Sequence, residues 1–326
     1  MIPNFTYVRP DRLKEAVEQL EGREVRIHAG GTDLLSCLRD GVFDAGKVVS
    51  ISALKDMHGI KETANGGLRI GALTTISEIA DHELIRTKYA GLAQGASEVA
   101  SPQLRNQGTI GGNICQKPRC WYYRGEFHCL RKGGAKCFAV KAENQFHCIL
   151  GGNQCFIVHP SDTAPALVAL QAKIRLHGPQ GNRSVAAEDF FVPPATDPTR
   201  ETVVGDREIV TEILLPPPPA NLRSSYRKIR ARKSWDFALA GAALALQFEG
   251  DKVRGGRVVL SGAAPVPWRS KEVEEVIIDS TLDAKTIDKA SQAVIANARP
   301  MSKNRYKLHL FSGMMEEELL AIKEKA

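Results

Sequence analysis

Six of the chain's seven cysteines, Cys115, Cys120, Cys129, Cys137, Cys148 and Cys155, fall within residues 115–155. In a reducing compartment such crowding points to metal or redox chemistry rather than to disulfides. No CxxC pair occurs, and structural zinc sites generally use such knuckles. Four thiolates from separated loop positions can instead hold an iron–sulfur cluster, which takes soft ligands at irregular spacing. The intervening RKGGAK and LGGNQ provide turns and backbone donors. His128 and His147, each directly before a cysteine, are either mixed ligands or ordinary histidines. Cys37, in LLSCLRDG, reads as a small buried apolar residue.

Two glycine-rich loops precede the cysteine stretch. VRIHAGGTDLL sets Gly30 and Gly31 between a strand and a helix start, where free backbone N–H groups favour a phosphate and where Thr32 or Asp33 can cap the helix. An ordinary strand-to-helix turn has the same pattern, and GxGxxG is absent. RNQGTIGGNIC supplies Gly108, Gly111 and Gly112 with Thr109 and Asn113, so the two loops together suit a ligand with two phosphates or are simply tight turns. In HPSDTAPAL, Asp162 either holds a ribose hydroxyl or caps the helix that follows. No nucleophile elbow, HExxH or P-loop is present, so no acid–base catalyst is assigned. An electron carrier needs none, because its cofactors do the redox chemistry.

The elements that position these residues alternate. Arg12 to Leu20 reads as a helix, Glu24 to His28 and Val48 to Ile51 as strands, Leu68 to Leu73 as a strand, and Thr75 to Leu84 and Tyr89 to Val99 as helices. Phe156 to His159 and Lys173 to His177 read as strands around a helix at Pro165 to Leu170. Pro216 to Pro219 marks a boundary, beyond which Ala238 to Phe248 pairs with Arg257 to Ser261 and helices cover Ile287 to Ala298 and Lys307 to Ile322. The expected fold is α+β: a two-part nucleotide-binding domain, made of a small α/β unit (1–55) and a larger mixed unit (56–218) with an insertion at about 115–155, then an α+β domain with a small antiparallel sheet (219–326).

At 326 residues and 43% hydrophobic content the chain can bury two or three compact units. It has no 18-residue apolar run and no signal-like start, so the expectation is a cytoplasmic protein, unless an exported partner carries it. The net charge is +7, and Arg223, Arg227, Lys228, Arg230, Arg232 and Lys233 form its densest basic run. Nucleic acid, an acidic subunit, or one cation beside a phosphate could each use that run.

In this order, AGGTDLL, IGALTT, LRNQGTIGGNIC, HPSD, YRKIRARKSWDFALAGAA and VVLSGAAPVPWR resemble the FAD-binding medium subunit of the xanthine oxidase family of molybdenum hydroxylases over nearly the whole chain. The resemblance implies FAD held by Ile27, His28, Ala29, Gly30, Gly31, Thr32, Asp33 and Leu34, by Thr109, Gly111, Gly112 and Asn113, and near Asp162, Val210 and Lys228. Arg230, Arg232 and Lys233 keep the reading of a solvated or subunit-facing surface. The long stretch between TIGGN and HPSD resembles the subgroup with an additional [4Fe–4S] cluster, which includes 4-hydroxybenzoyl-CoA reductases and a periplasmic aldehyde oxidoreductase. Its pattern PRC-x8-C-x7-C plus a final cysteine falls on Cys120, Cys129, Cys137 and Cys155, with Cys148 the alternative fourth ligand and Cys115 a packing residue. The resemblance further implies two partner chains, a large molybdopterin subunit and a small subunit with two [2Fe–2S] clusters, and an external partner such as NAD, ferredoxin or a quinone, with no nucleic acid and no membrane insertion. A zinc-stapled nucleotide- or nucleic-acid-binding module and a stand-alone flavoenzyme are the alternatives.

Overall fold

The computed structural model describes residues 2–324. Its first sheet is parallel, with β1 (Thr6–Val8), β2 (Val25–His28) and β3 (Lys47–Ser50) in the order β1-β3-β2. Parallel neighbours need crossovers, and the helices Leu13–Gln19 and Leu34–Arg39 supply them. Successive side chains of β3 point to opposite faces, so Val49 packs with Ala16 and Val17 of the first helix, while Val48 packs with Leu38 of the second. The second helix therefore starts directly off the C-terminal end of β2, and the Gly30-Gly31 turn lies between them.

The second sheet is antiparallel throughout. It comprises β4 (Ile60–Glu62), β5 (Leu68–Gly71), β6 (Lys173–Gly178), β7 (Gly181–Ala186) and β8 (Ile209–Leu215), in the order β4-β5-β8-β6-β7. Ile174 and Leu176 alternate into its core with Leu68, Ile70 and Ile213. The third sheet is also antiparallel, with β9 (Leu222–Ile229), β10 (Ala240–Glu249), β11 (Lys252–Ser261) and β12 (Trp268–Arg269) in the order β12-β11-β10-β9. β10 is buried on both faces: Ala243 and Ala245 join the core of the second sheet, while Ala242, Leu244 and Leu246 join Phe311 and Met315 of the C-terminal helix Tyr306–Glu324. The α+β architecture read from the sequence is the one observed.

Two local readings are corrected. Phe156 to His159 forms no strand; it is extended, with Phe156 O accepting from Cys148 N and His159 N donating to Ala264 O, and no continuous ladder on either side. The helix expected over Thr75 to Leu84 breaks at His82, whose extended backbone ends Ile76–Asp81 and starts Glu83–Lys88. β7 escaped the periodicity argument because its GNRSVA is almost wholly exposed.

The cysteine-rich insertion has little regular structure, only the helix Trp121–Arg124 and the 3₁₀ turns Leu130–Lys132 and Phe138–Val140. Side-chain amides hold it in place of a ladder. Fully buried Asn144 donates to Ala139 O and Ser302 Oγ, and fully buried Asn304 donates to His147 O and Cys148 O at 3.0 Å each. Lys307, also fully buried, donates to Gly262 O at 2.8 Å, pinning the C-terminal helix to the third sheet.

Candidate functional site

The two glycine loops converge because Gly30 leaves no side chain between them. A Cβ there would stand 2.1 Å from Gln107 O, and the Gln107 amide in turn donates to Gly30 O. Gly31 takes the left-handed conformation at φ +74°, which turns the chain into the helix Leu34–Arg39. In the second loop Thr109 caps the helix Ile110–Ile114, its hydroxyl accepting from Gly112 N at 3.2 Å. Gly111 packs its backbone on Ala72, and a Cβ at Gly112 would meet only Thr109 Oγ1.

Between the loops opens a cleft of about 660 Å³, the size of a cofactor site. Ile27, Ala29, Gly30, Gly31, Thr32, Asp33 and Leu34 line it from the first loop; Thr109, Gly111, Gly112 and Asn113 from the second; Asp162 and Val210 from farther along the chain. Two expected contacts lie elsewhere. The His28 ring sits beneath Gly31 and bonds Ser50 Oγ at 3.2 Å, and it does not line the cleft. Lys228 stands behind Asp162, its side chain wholly buried, with Nζ 2.7 Å from Asp162 Oδ2 and 3.0 Å from Glu98 O.

Neither Thr32 nor Asp33 caps the helix with its side chain. The Asp33 carboxylate is instead taken by the cysteine insertion: Arg124 Nη2 at 2.7 Å, Arg119 Nη2 at 2.9 Å and the Lys117 amide at 2.7 Å. Asp162 makes no cap either, since Ser161 Oγ accepts from Ala164 N in that role. Its carboxyl receives Tyr226 OH at 2.8 Å as well as Lys228. Burial pushes the Asp162 carboxyl above its ordinary range, against the pull of Lys228 and Tyr226 toward the ionised form. Asp162→Asn keeps the shape but removes the charge facing a buried ammonium; the expected cost is about 1.5–3 kcal/mol of stability, read as a lower denaturation midpoint.

Cys120, Cys129, Cys137 and Cys155 line one small cavity together with Tyr122, Arg131 and His147. Burial raises the Cys120 thiol to about 12. Among the described residues no three His, Cys, Asp or Glu side chains close around a single metal ion. Cys148 lies outside this cavity, with its sulfur packed against Gly152 and its amide donating to Phe156 O. Cys115 is half-buried and lines the flank of the large cleft, while Cys37 is fully buried and receives Arg124 Nη1.

The comparisons with known proteins agree with this geometry. Residues 3–218 match the family described as FAD binding domain in molybdopterin dehydrogenase, and residues 224–322 match the CO dehydrogenase flavoprotein C-terminal domain. The chain is 35% identical to the aldehyde oxidoreductase FAD-binding subunit PaoB of Escherichia coli, over 94% of each chain. It belongs to the FAD-binding subunits of the molybdenum hydroxylase family. It is also 26% identical to the carbon monoxide dehydrogenase medium chain of Hydrogenophaga pseudoflava, covering 98% of this chain and 97% of that one. A solved structure of carbon monoxide dehydrogenase from the same organism superposes with a TM-score of 0.77 at 25% identity, over 97% of this chain and 96% of that chain.

As a member of this oxidoreductase family the subunit binds FAD, and its cleft has walls that sequence reasoning did not find. Arg26 and Phe43 line one end, the guanidinium 4.7 Å from the ring centroid, and Trp235, Asp236 and Phe237 line another. Arg26 had a signal in the strand residue preceding Ile27; the others come from distant parts of the chain and had none. A second, aromatic-walled pocket of about 210 Å³ lies between the two sites, sharing Asp162 and Phe237 with the flavin cleft and Cys120 and His147 with the cysteine cavity. Among the described residues no helix is long and apolar enough to cross a membrane.

Proposed function

We propose that this FAD-binding subunit carries a [4Fe–4S] cluster on Cys120, Cys129, Cys137 and Cys155 and passes electrons between FAD and redox partners in a molybdenum hydroxylase or reductase complex. The observation that carries the reading is the placement of those four thiols, and not Cys148, around one cavity that a shared pocket joins to the flavin cleft. FAD, when bound, exchanges electrons singly or in pairs and an iron–sulfur cluster exchanges them singly, so the pair converts between two-electron and one-electron partners.

The chain's own residues hold and insulate. Backbone around Gly30, Gly31, Gly111 and Gly112 offers a phosphate cradle without side-chain obstruction, and Thr109 fixes the second loop. Asn113 Oδ1 accepts from both Ser161 and Thr163 hydroxyls, tying that loop to the Asp162 turn. Lys228 and Tyr226 fix the Asp162 carboxyl at the cleft wall. The Asp33 contacts with Arg119, Arg124 and Lys117 tie the flavin loop to the cysteine insertion.

The partners proposed are a large molybdopterin-binding chain and a small chain with two [2Fe–2S] clusters, with an external partner of the NAD, ferredoxin or quinone type. The subunit and medium-chain names of the relatives support an assembly of this kind. Co-expression with the chains encoded beside it should give a stable complex whose reduced molybdenum chain reduces the FAD of this one. Isolation as a lone chain that turns over an aldehyde or purine unaided would contradict the subunit reading.

A further inference from the structure

A buried arginine in the wall of the cysteine cavity has no role in the account so far. Arg131 is 5% exposed and lines the cavity with the four cysteines. Its Nη1 donates to Glu201 Oε1 at 2.8 Å and to Arg200 O at 3.1 Å. Its Nε is buried with no hydrogen-bond partner.

Glu201, itself buried, is gripped from the other side by Lys117. The Lys117 amide donates to Asp33 of the flavin loop. A continuous run of charged and hydrogen-bonded groups therefore leads from Arg131 through Glu201 and Lys117 to Asp33. Fixing a guanidinium in a cavity wall costs desolvation, and one carboxylate shared with Lys117 does not neutralise it fully. The remaining positive charge sits in the wall that the four thiols share.

We propose that Arg131 is a positioning residue for the iron–sulfur cluster: held by Glu201, it sets a fixed positive charge in the cavity wall and raises the cluster's reduction potential. The reasoning is electrostatic. Each electron added makes a thiolate-ligated cluster more negative, so a fixed cation beside it stabilises the reduced form most. The inference rests on the cluster reading above.

The test is a redox titration of the iron–sulfur EPR signal in the assembled protein, with iron and FAD counted in the same samples. Arg131→Gln should keep its iron and FAD and titrate at a lower potential than the unmodified protein. Arg131→Lys, which keeps the charge but loses the planar fork, should fall between the two. An unchanged potential in iron-loaded Arg131→Gln would overturn the proposal. Should that variant lose its iron, a lowered potential in Arg131→Lys supports the role, and an unmodified one refutes it. Loss of iron from both would make Arg131 a loop clamp only and end the tuning role. Unmodified protein lacking the four-iron signal would instead refute the cluster reading itself, so the two failures are distinct.

Discussion

Cys120→Ser, Cys129→Ser, Cys137→Ser and Cys155→Ser each remove about four irons per chain, by the stoichiometry of a four-iron cluster, and leave FAD in place, whereas Cys148→Ser keeps the iron. Serine is a hard oxygen donor where the cluster needs thiolate, so one lost corner is expected to empty the cavity. FAD is retained because its cleft is lined by other residues, Cys115 being its only cysteine wall among the described residues. The contrast with Cys148 makes the result specific. That thiol is more deeply buried than any of the four, so a general sensitivity of the insertion to cysteine loss would strike it at least as hard. Iron analysis and the visible spectrum of the five variants check the expectation, and retention of all four irons in any of the first four removes that ligand from the set.

Gly30→Val is expected to yield a folded protein that loses most of its FAD. The Cβ would collide with Gln107 O at 2.1 Å, and backbone cannot step aside as a flexible side chain can. Overpacking of this kind costs up to about 3 kcal/mol. Taken from cofactor affinity, that is a weakening of up to roughly 150-fold. Gly112→Ala is the milder companion, since its Cβ meets only Thr109 Oγ1 at 3.2 Å. Gly46→Ala, with nothing within 4 Å, serves as the control. Equilibrium dialysis or flavin absorbance after gel filtration reads the outcome; full FAD content in Gly30→Val would contradict the close approach of the two loops.

Much of the flavin cleft could be read from the sequence because each loop is a contiguous strand–turn–helix whose chemistry is written in adjacent residues. Local reading reaches its limit where tertiary partners decide a side chain's use. Asp33 looks like a helix cap but is claimed by two arginines and an amide of the insertion. His28 belongs to the same motif, yet it points under Gly31. Lys228 is close to the cleft but separated from it by Asp162. Phe43 and the Trp235–Phe237 segment reach the cleft only through folding of distant chain, and no local pattern marks them.

The basic run teaches the same point about charge. Read as a solvated face, Arg230 instead pairs with Glu98 at 2.6 Å and is half-buried, and Arg227 pairs with Glu318 on the C-terminal helix at 2.6 Å. Arg232, at 67% side-chain exposure, fits the original reading. Half of the run, Arg223, Arg227 and Lys228, lies on β9, where the C-terminal helix and Asp162 take its charges. Spacing alone could not separate Cys148 from Cys155. In the fold the Cys148 sulfur packs on Gly152, and Cys155 lines the cavity with Arg131.

The most direct test of the central claim is the count of FAD, iron and acid-labile sulfide in the purified chain, prepared without oxygen. The account predicts about one FAD, four irons and four sulfides per chain, the composition of a flavin with one [4Fe–4S] cluster, and a yellow-brown solution with a broad iron–sulfur shoulder under the flavin bands. A yellow protein with its full flavin and no iron, or one holding a single zinc, would contradict it.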